Sequence, residues 1–336
     1  MTDSWGHRRV LVTGATGIVG SWLVKELFDL DAFVVPLIRD WDPQSELIRS
    51  RAVDRCNVVN GALEDYAAVE RAISHHEIDT VFHLGAQTIV GTALRSPLGT
   101  FEANIRGTYN LLDACRVHRG LVKRIVIASS DKAYGESPVL PYVESMAVNG
   151  RHPYDVSKSC TDLLAMTYAH TYGLPVTVAR CGNIYGGGDL NWSRLIPGTI
   201  RSLHNDERPV LRSDGKYTRD FVFVRDIVRA YLLLAENAAA AGVRGEAFNF
   251  SPETRVTPLE ITSLISTIMG RRDLDPIILD NAEAEIRDQS LDSSKARRVL
   301  NWAPAYTLSD GLTETVEWYQ QYFHARSWVP VANPVA

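Results

Sequence analysis

Gly14-Ala15-Thr16-Gly17-Ile18-Val19-Gly20 is a glycine-rich turn that decides the fold of this chain. It follows Arg9–Thr13, a short and mainly β-branched run, and leads into Ile18–Leu30, where apolar residues recur at helical spacing. Glycines permit a tight turn and bring the backbone close to a pyrophosphate, which then lies against the N–H groups that start the helix. The order of strand, turn and helix predicts a dinucleotide site, although three glycines can also serve a turn alone. The residues expected to contact the dinucleotide here are Gly14, Thr16, Gly17, Ile18, Val19 and Gly20.

Short apolar runs alternate with helix-length segments through the first half of the chain. The predicted strands are Phe33–Ile38, Cys56–Val59, Thr80–Leu84, Arg124–Ala128 and Pro175–Arg180. The predicted helices include Asp65–His75, Thr100–His118 and Tyr154–Tyr172. Strands that alternate with helices predict an α/β, Rossmann-like fold with a doubly wound parallel sheet.

The alternation ends near Gly186, where a run of glycines begins a loop that precedes a helix near Arg194–Leu203. We therefore expect a smaller C-terminal substrate-binding lobe. The strand–helix pair Phe221–Val224 and Arg225–Glu236 is expected to return to the first domain. The resulting organisation is a Rossmann domain of residues 1–186 plus about 219–240, a discontinuous lobe of residues 187–325, and a loose tail of residues 326–336 that contains two prolines.

The composition is that of an ordinary globular protein. Of the 336 residues, 45% are hydrophobic and 22% are charged, so disordered and fibrous classes are excluded. A net charge of -5 gives no overall attraction to nucleic acid. No apolar run approaches the roughly 20 residues of a membrane span, and Met1–Val10 is polar and basic, unlike a signal peptide. We expect a cytoplasmic protein with no membrane or nucleic-acid partner.

No metal site is expected. The histidine pair His75-His76 has no carboxylate or further histidine at ligand spacing and is interpreted as solvated. The cysteines are scattered without a C-x-x-C pair, which favours reduced and mostly packed thiols. They are Cys56, Cys115, Cys160 and Cys181.

The end of the second predicted strand bears on the choice of cofactor. An acid at this point accepts from the adenosine 2′-hydroxyl of NAD, whereas an arginine accommodates the 2′-phosphate of NADP. The chain has Arg39 followed by Asp40. Both NAD and NADP stay open, with Arg39 tilting the balance to NADP, and a solvated turn is the alternative.

Tyr154 and Lys158 stand at i and i+4, on one face of a predicted helix. An ammonium beside a phenol lowers the pKa of the phenol, so that a tyrosinate can take the proton of an alcohol as its hydride leaves. This spacing is common by chance. It gains weight from the glycine-rich turn and from Ser129-Ser130 at the end of an earlier strand.

Together these segments resemble the extended short-chain dehydrogenase/reductase family, and within it the nucleotide-sugar epimerases and dehydratases. The resemblance covers nearly the whole chain. The matching segments are Gly14–Gly20, His83–Gln87, Asn104, Ser129–Gly135, Tyr154 with Lys158, Arg180–Gly186, Arg219–Val224, Ser294–Ala296 and Leu300–Pro304.

Within that family the chain most resembles the CDP-glucose 4,6-dehydratases. The likeness lies in Ser130-Asp131-Lys132, in the segment around Gln87, and in the stretch from Gly182 to Pro197. Dehydration at C6 needs an acid for the departing hydroxyl and a base at C5. The resemblance implies Asp131 as the acid, and as the base Lys132, with a pKa depressed by burial.

Two other interpretations stay open. If Asp131 and Lys132 only form a polar turn, the enzyme is a 4-epimerase that uses Ser130, Tyr154 and Lys158 alone. A non-catalytic dinucleotide sensor on the same fold is the alternative from another class, but it would need no proton relay.

The resemblance also implies further contacts, a tightly held and recycled cofactor, and a homodimer formed through a four-helix bundle. Additional cofactor contacts are expected at Ala62, Leu63, Leu84, Gly85, Ala86, Gln87, Asn104, Tyr154 and Lys158. A nucleotide-diphosphate sugar is expected to contact Gln87, Ser130, Asn183, Arg194, Leu195, Arg219 and Arg287. The two last arginines suit a diphosphate, which calls for bidentate cationic donors. Asn183 can alternatively be a turn residue.

Two features depart from the family pattern. Ala62 stands where the family usually has an acid beside the adenine, so a polar contact there is in doubt. The loop Tyr134–Pro138 is more similar to the epimerases and glucose dehydratases than to the CDP-glucose branch.

Overall fold

The computed structural model describes residues 5–281 and 286–327. Its strands are β1 (Arg9–Thr13), β2 (Phe33–Ile38), β3 (Val59–Asn60), β4 (Thr80–His83), β5 (Arg124–Ala128), β6 (Val176–Cys181), β7 (Asn183–Tyr185), β8 (Val210–Leu211), β9 (Arg219–Phe223), β10 (Ala247–Phe250), β11 (Arg255–Val256) and β12 (Ile277–Ile278). Its α-helices are α1 (Ile18–Asp29), α2 (Glu46–Arg49), α3 (Tyr66–His75), α4 (Val90–Arg95), α5 (Pro97–Phe101), α6 (Gly107–Val117), α7 (Pro153–Tyr172), α8 (Leu195–His204), α9 (Val224–Asn237), α10 (Pro258–Ile268), α11 (Ser294–Leu300) and α12 (Leu308–Ser327).

Seven parallel strands form the central sheet in the order β10-β6-β5-β4-β1-β2-β3, which confirms the predicted Rossmann-like fold. From β1 the chain first builds outward through β2 and β3, and then returns to build in the other direction from β4. The order of the strands therefore reverses between β1 and β4. Ligands of open α/β sheets bind outside the carboxyl ends of the strands at such a reversal.

The alternation of side chains along β1 explains why the sheet is covered on both faces. Val10 and Val12 belong to the apolar cluster formed with α1 and α9, whereas Leu11 belongs to the cluster formed with α3, α6 and α7. Successive residues of a strand point to opposite faces, so a strand buried on both faces is apolar throughout. All three side chains are fully buried.

Two predicted elements differ in the structure. Of the predicted strand Cys56–Val59, only Val59 belongs to a strand, β3. A 3₁₀ turn over Ala52–Arg55 ends immediately before Cys56. The predicted helix Thr100–His118 is interrupted, since a π-helical turn over Glu102–Arg106 separates α5 from α6.

The second half of the chain contributes to both lobes. α9 packs on α1 and against the central sheet, and β10 forms the edge of that sheet. β9 pairs with β7 and β11 in a separate three-stranded sheet and does not join the central sheet. The sequence analysis assigned no strand at β10. The boundaries drawn between the two domains remain predictions.

The second lobe is built around aromatic residues of α12. Trp318, Tyr319 and Tyr322 are buried against α8 and α10, and Trp192 packs on the last two of them. The predicted tail, residues 326–336, overlaps the end of α12 at residues 326–327. Its remainder lies outside the described residues.

Within residues 5–281 and 286–327, no helix combines the length and apolar character needed to cross a membrane. The same residues contain no cluster of three or more His, Cys, Asp or Glu side chains suited to hold a metal ion. All four cysteines are free thiols. The expected location in the cytoplasm stays a prediction.

Candidate active site

The glycine-rich turn lies at the reversal point of the sheet. Gly14 has a φ of 68°, and a Cβ there would come within 2.7 Å of the backbone nitrogen of Gly85. A Cβ on Gly20 would overlap the carbonyl of Gly14. α1 starts after Gly17 with no capping side chain and no acid in its first turn, so its N–H groups are open to an anion. These features fit the pyrophosphate of a dinucleotide.

A buried chain of hydrogen bonds fixes the loop that faces this turn. Thr13 Oγ1 accepts from the N–H groups of residues 84 and 85, so its proton is directed to His83 Nδ1 at 2.9 Å. The other ring nitrogen of His83 then donates to Thr108 Oγ1 at 3.0 Å, and Thr108 donates to the carbonyl of Asn104. Burial, with the Lys158 ammonium nearby, lowers the pKa of His83 to about 3. The imidazole is therefore neutral, with one defined tautomer.

Asn104, which is 1% exposed, lies in the π-helical turn and joins the Gln87 loop to α7. Its side chain accepts from Gln87 N at 2.7 Å and donates to Gln87 O at 3.0 Å. It also donates to Ser157 Oγ at 2.8 Å, and Ser157 donates to the carbonyl of Tyr154. The Gln87 side chain accepts from Ile89 N. The backbone on either side of the cleft is therefore held by one amide.

Leu63 lies beside the same loop. A Cβ on Gly85 would come within 2.8 Å of its Cδ1. Asn110 on α6 donates to the carbonyls of Leu63 and Glu64 at 2.9 and 3.1 Å. Ala62 is half-buried. The segment expected beside the adenine is thus fixed by Asn110, a residue that the sequence analysis missed.

Arg39 and Asp40 follow β2 at the same edge of the sheet. Arg39 Nε donates to Asp40 Oδ2 at 2.6 Å, and the side chains are 61% and 73% exposed. The guanidinium and the carboxylate are therefore paired with each other, and both are accessible to a ribose substituent.

The phenol of Tyr154 is buried near the start of α7. It makes a hydrogen bond with Ser130, and burial raises its pKa to about 12 against the opposing effects of Arg194 and Ser130. Lys158, one turn later, donates to the carbonyl of Ala128 at 2.8 Å. Burial lowers the pKa of Lys158 to about 8. The structure thus brings Tyr154 to Ser130 and directs Lys158 to the end of β5. The expected lowering of the Tyr154 pKa by Lys158 is not found, because burial has the larger effect.

Asp131 and Lys132 occupy a 3₁₀ turn, Asp131–Tyr134, directly after β5. Asp131 is 5% exposed, and burial raises the pKa of its carboxyl, against the lowering effect of Lys132. Ser130 Oγ donates to it at 3.0 Å. Lys132 is half-buried, and its ammonium donates to the amide oxygen of Gln289 at 3.4 Å. A carboxyl with a raised pKa is suited to act as an acid.

Residues of the second lobe close the cleft over Tyr154. Arg194 NH1 donates to Asp189 Oδ2 at 2.9 Å, and its charge reaches the phenol of Tyr154. Leu195 begins α8 and is half-buried. Asn183 Nδ2 donates to the carbonyl of Asp220 at 3.5 Å.

The two arginines expected at the diphosphate differ in their surroundings. Arg219 is 6% exposed, and its guanidinium donates to the carbonyls of Thr218, Ile286 and Arg287. Its charge lowers the pKa of Asp131. The side chain of Arg287 is exposed. The two residues are therefore adjacent, and their binding of phosphate stays a prediction.

Besides Asn110, the structure adds two polar residues that the sequence analysis missed. Ser157 shares α7 with the Tyr154 and Lys158 pair, and the i, i+3 spacing from Tyr154 was the available signal. Gln289 follows Arg287 by two positions, and no local pattern indicates that it lies beside Lys132.

Comparison with known proteins gives a consistent result. A sequence profile of the family described as GDP-mannose 4,6 dehydratase matches residues 11–315. The chain is 30% identical over 334 residues to the CDP-glucose 4,6-dehydratase of Salmonella typhimurium strain LT2, which covers 95% of this chain and 92% of that protein.

Two solved structures have similar folds. The dTDP-glucose 4,6-dehydratase DesIV from Streptomyces venezuelae, with NAD and TYD bound, has a TM-score of 0.85 and 28% identity, and covers 96% of this chain and 99% of its own. The UDP-glucose 4-epimerase of Thermotoga maritima, with UDP-glucose, has a TM-score of 0.85 and 30% identity, and covers 94% and 99%.

The neutral His83 predicts a specific loss of stability in acid. Because its pKa in the folded state is about 3, the unfolded chain binds more protons than the folded one between that value and pH about 6.5, so acid favours unfolding. His83→Asn supplies one acceptor and a donor but does not titrate. Over this range we expect the wild type to lose up to about 1.4 kcal/mol per pH unit more than His83→Asn, measured by urea unfolding.

Thr108→Val is the matched control. It removes a hydrogen bond of His83 but keeps the imidazole. The free energy of unfolding should therefore be lower at every pH, and its extra decrease in acid should persist. Parallel stability curves for the wild type and His83→Asn would show that His83 is not the group responsible.

Proposed function

Because this chain belongs to the GDP-mannose 4,6-dehydratase family of extended short-chain dehydrogenases/reductases, we propose that it is an NAD(P)-dependent nucleoside-diphosphate-hexose 4,6-dehydratase. Its substrate is a CDP-glucose-like sugar nucleotide, and its product is the 4-keto-6-deoxy sugar. The observation that carries the proposal is the buried Asp131, with a raised pKa, beside Lys132 and next to Ser130. A dehydratase needs these two groups in addition to the tyrosine and lysine pair.

The first step is oxidation at C4. NAD(P), when bound, supplies reversible hydride transfer, which links oxidation at C4 to reduction at C6. Tyr154 takes the proton of the C4 hydroxyl, and Ser130, which is hydrogen-bonded to this phenol, orients the same hydroxyl. Lys158 presents a positive charge that favours the tyrosinate.

The second step is elimination of water. The C4 ketone acidifies the C5 proton, which Lys132 removes as a neutral amine and returns to C5 when the hydride reaches C6. As the C5–C6 double bond forms, the C6–O bond breaks and Asp131 protonates the departing hydroxyl, so that water leaves. The raised pKa of Asp131 supports this role because the carboxyl must carry a proton when the substrate binds.

Binding of the sugar nucleotide is assigned to the cleft between the lobes. Arg219 and Arg287 bind the diphosphate, and Arg194 and Asn183 contact the sugar nucleotide from the second lobe. Leu195 supplies an apolar contact. Two observations support this assignment. Arg219 donates to the backbone carbonyl of Arg287, and the charge of Arg194 lowers the pKa of Tyr154.

A 4-epimerase is the second candidate. Its support is the similarity to the Thermotoga maritima enzyme, at the same TM-score as the dehydratase DesIV. The loop Tyr134–Pro138 also resembles that of epimerases. A non-catalytic sensor is disfavoured because it has no use for the group of Ser130, Tyr154 and Lys158.

The Asp131→Asn variant separates dehydration from epimerisation. An amide keeps the size of the side chain but delivers no proton, so release of the 4-keto-6-deoxy product from CDP-glucose should slow by about 10²–10⁴-fold. Oxidation at C4 should persist and appear as a transient nicotinamide absorbance. Both are measured by rapid mixing.

Tyr154→Phe is the control, since it should abolish the absorbance change and product formation together. The dehydratase proposal fails if the wild type incorporates no solvent deuterium at C5 with any of CDP-, dTDP-, UDP- and GDP-hexoses. Exchange of C4 epimers in that case would establish the epimerase.

The family and its NAD-bound structures indicate a nicotinamide cofactor. We propose that the cofactor is tightly held and recycled, and that Arg39 lets the chain accept NADP as well as NAD. Its guanidinium is exposed and follows the second strand, where the adenosine ribose is expected to bind. Asp40 pairs with this guanidinium and would compete with a 2′-phosphate for it.

Arg39→Ala should therefore weaken binding of NADP by about 1.5–3 kcal/mol, the range for a charged hydrogen bond, and leave NAD nearly unchanged. Asp40→Ala, which frees the guanidinium, should shift the preference in the opposite direction. Calorimetric titration with both dinucleotides measures this. Equal losses for NAD and NADP in Arg39→Ala would leave Arg39 without a role in the choice.

We further propose a homodimer formed by helices α6 and α7 and their two-fold copies. Large apolar side chains on this face are exposed, among them Tyr109 on α6 and Leu163 and Tyr172 on α7, at 40%, 58% and 46%. Large exposed apolar side chains on two neighbouring helices favour an interface, and two-fold pairing is the commonest closed arrangement.

Leu163→Glu tests the dimer, because it places two like charges near the two-fold axis. The dissociation constant should rise about tenfold or more, equivalent to at least about 1.4 kcal/mol, in analytical ultracentrifugation. Val299→Glu, on the 40% exposed Val299 of α11, is the matched control and should have no effect. A monomeric wild type at micromolar concentration would contradict the proposal.

A further inference from the structure

A buried ion pair lies beneath the catalytic helix and has no part in the steps given above. Asp162 on α7 and Arg180 on β6 have side chains that are 1% and 7% exposed. Arg180 donates to both carboxylate oxygens, at 2.7 Å from one terminal nitrogen and at 3.1 Å from Nε. A forked pair of this kind is strongly directional.

Asp162 follows Lys158 by one helical turn, so the two side chains lie on the same face of α7. Both reach the same peptide at the end of β5. Lys158 donates to the carbonyl of Ala128 at 2.8 Å, and Ser129 Oγ donates to Asp162 at 2.7 Å. Asp162 therefore holds Ser129, the residue that follows the Ala128 carbonyl to which Lys158 donates.

The ionisable groups that face Lys158 come from three elements: Asp162 on α7, His83 on β4 and Cys181 on β6. Burial lowers the pKa of His83 to about 3 and raises that of Cys181 to about 12, so both are neutral near pH 7. Among these groups Asp162 supplies the negative charge.

Arg180 pairs with this carboxylate and is itself held by further contacts. Its remaining terminal nitrogen donates to Tyr134 Oη at 2.8 Å and to the carbonyl of Glu144 at 3.3 Å. The guanidinium also lies 4.7 Å from the centre of the Tyr134 ring. Arg180 is thereby anchored to the turn that carries Asp131 and Lys132, and it cannot leave Asp162 without breaking these contacts.

We propose that Asp162, oriented by Arg180 and Ser129, is a positioning residue that keeps Lys158 in its ammonium form and directed at the end of β5. Burial alone disfavours the charge on Lys158, and Asp162 opposes that effect. The functional meaning of this arrangement rests on the proposed dehydratase mechanism, in which the ammonium favours the tyrosinate of Tyr154. The arrangement of charges around Lys158 does not depend on that mechanism.

The protonation of Lys158 can be measured without substrate. The chain has six lysines, Lys25, Lys123, Lys132, Lys158, Lys216 and Lys295. Labelling their ε-carbons with ¹³C gives a small set of NMR signals whose shifts follow pH. The full-length chain is titrated with NAD in excess, and the signal absent from Lys158→Met identifies Lys158.

Asp162→Asn removes the charge and keeps the shape. Without the carboxylate the ammonium is less favoured, so the titration midpoint of Lys158 should fall by about 1 pH unit. Arg180→Met frees the carboxylate from its cation and should raise the midpoint. Ser129→Ala, which keeps both charges, should leave it within a few tenths of a unit. A merely structural role would not produce shifts of opposite sign.

The double variant Asp162→Leu with Arg180→Met guards against failure of Asp162→Asn to fold. Replacement of a buried pair by apolar residues is often tolerated, and here the midpoint should fall below that of Arg180→Met, because the carboxylate is lost as well. A midpoint in Asp162→Asn equal to that of the wild type, or in the double variant equal to that of Arg180→Met, would overturn the proposal. Because the titration uses no sugar nucleotide, it can succeed even if the dehydratase assignment fails. In an active enzyme the alkaline limb of the pH–rate profile should move with the midpoint.

Discussion

The hydrogen-bond chain from Thr13 through His83 and Thr108 to Asn104 is the interaction on which the rest of the site depends. It joins the end of β1 to β4 and to the π-helical turn, at the point where the order of the strands reverses. Because every donor in the chain has one acceptor, the imidazole has a single tautomer and the loop a single position. The side-chain amide of Asn104 then extends this order to α7, which carries the tyrosine and lysine pair.

Burial shifts the pKa of three ionisable groups of the site. It raises the pKa of the Tyr154 phenol and of the Asp131 carboxyl, and it lowers that of the Lys158 ammonium. In each case the charged form is disfavoured, because the surrounding protein solvates it less well than water. Neighbouring charges then oppose this effect selectively. A protonated Asp131 is thereby favoured as an acid, whereas Tyr154 depends on nearby positive charge to accept a proton.

The second lobe completes the cleft through backbone groups as well as through side chains. Asp220 accepts from the N–H of Leu291, and Asn249 donates to the carbonyls of Tyr142 and Asp292. These contacts hold the segment after residue 286 against the turn of Asp131 and Lys132, where Gln289 accepts from Lys132. Segments that are distant in the chain therefore meet at the candidate site.

The sequence by itself determined the Rossmann-like sheet, the glycine-rich turn and the position of Tyr154 and Lys158 one turn apart on one helix, because each depends on residues within a few positions of one another. Only the tertiary structure decided the break at Glu102–Arg106, the edge strand β10 and the separate sheet of β9. A strand of two to four residues shows too little periodicity to be recognised in the sequence. The strand with which it pairs lies far away in the chain. The roles of Asn110, Asp162 and Gln289 were also invisible to local patterns. A buried polar side chain is defined by the partners that packing brings to it, and these lie on other elements of the chain.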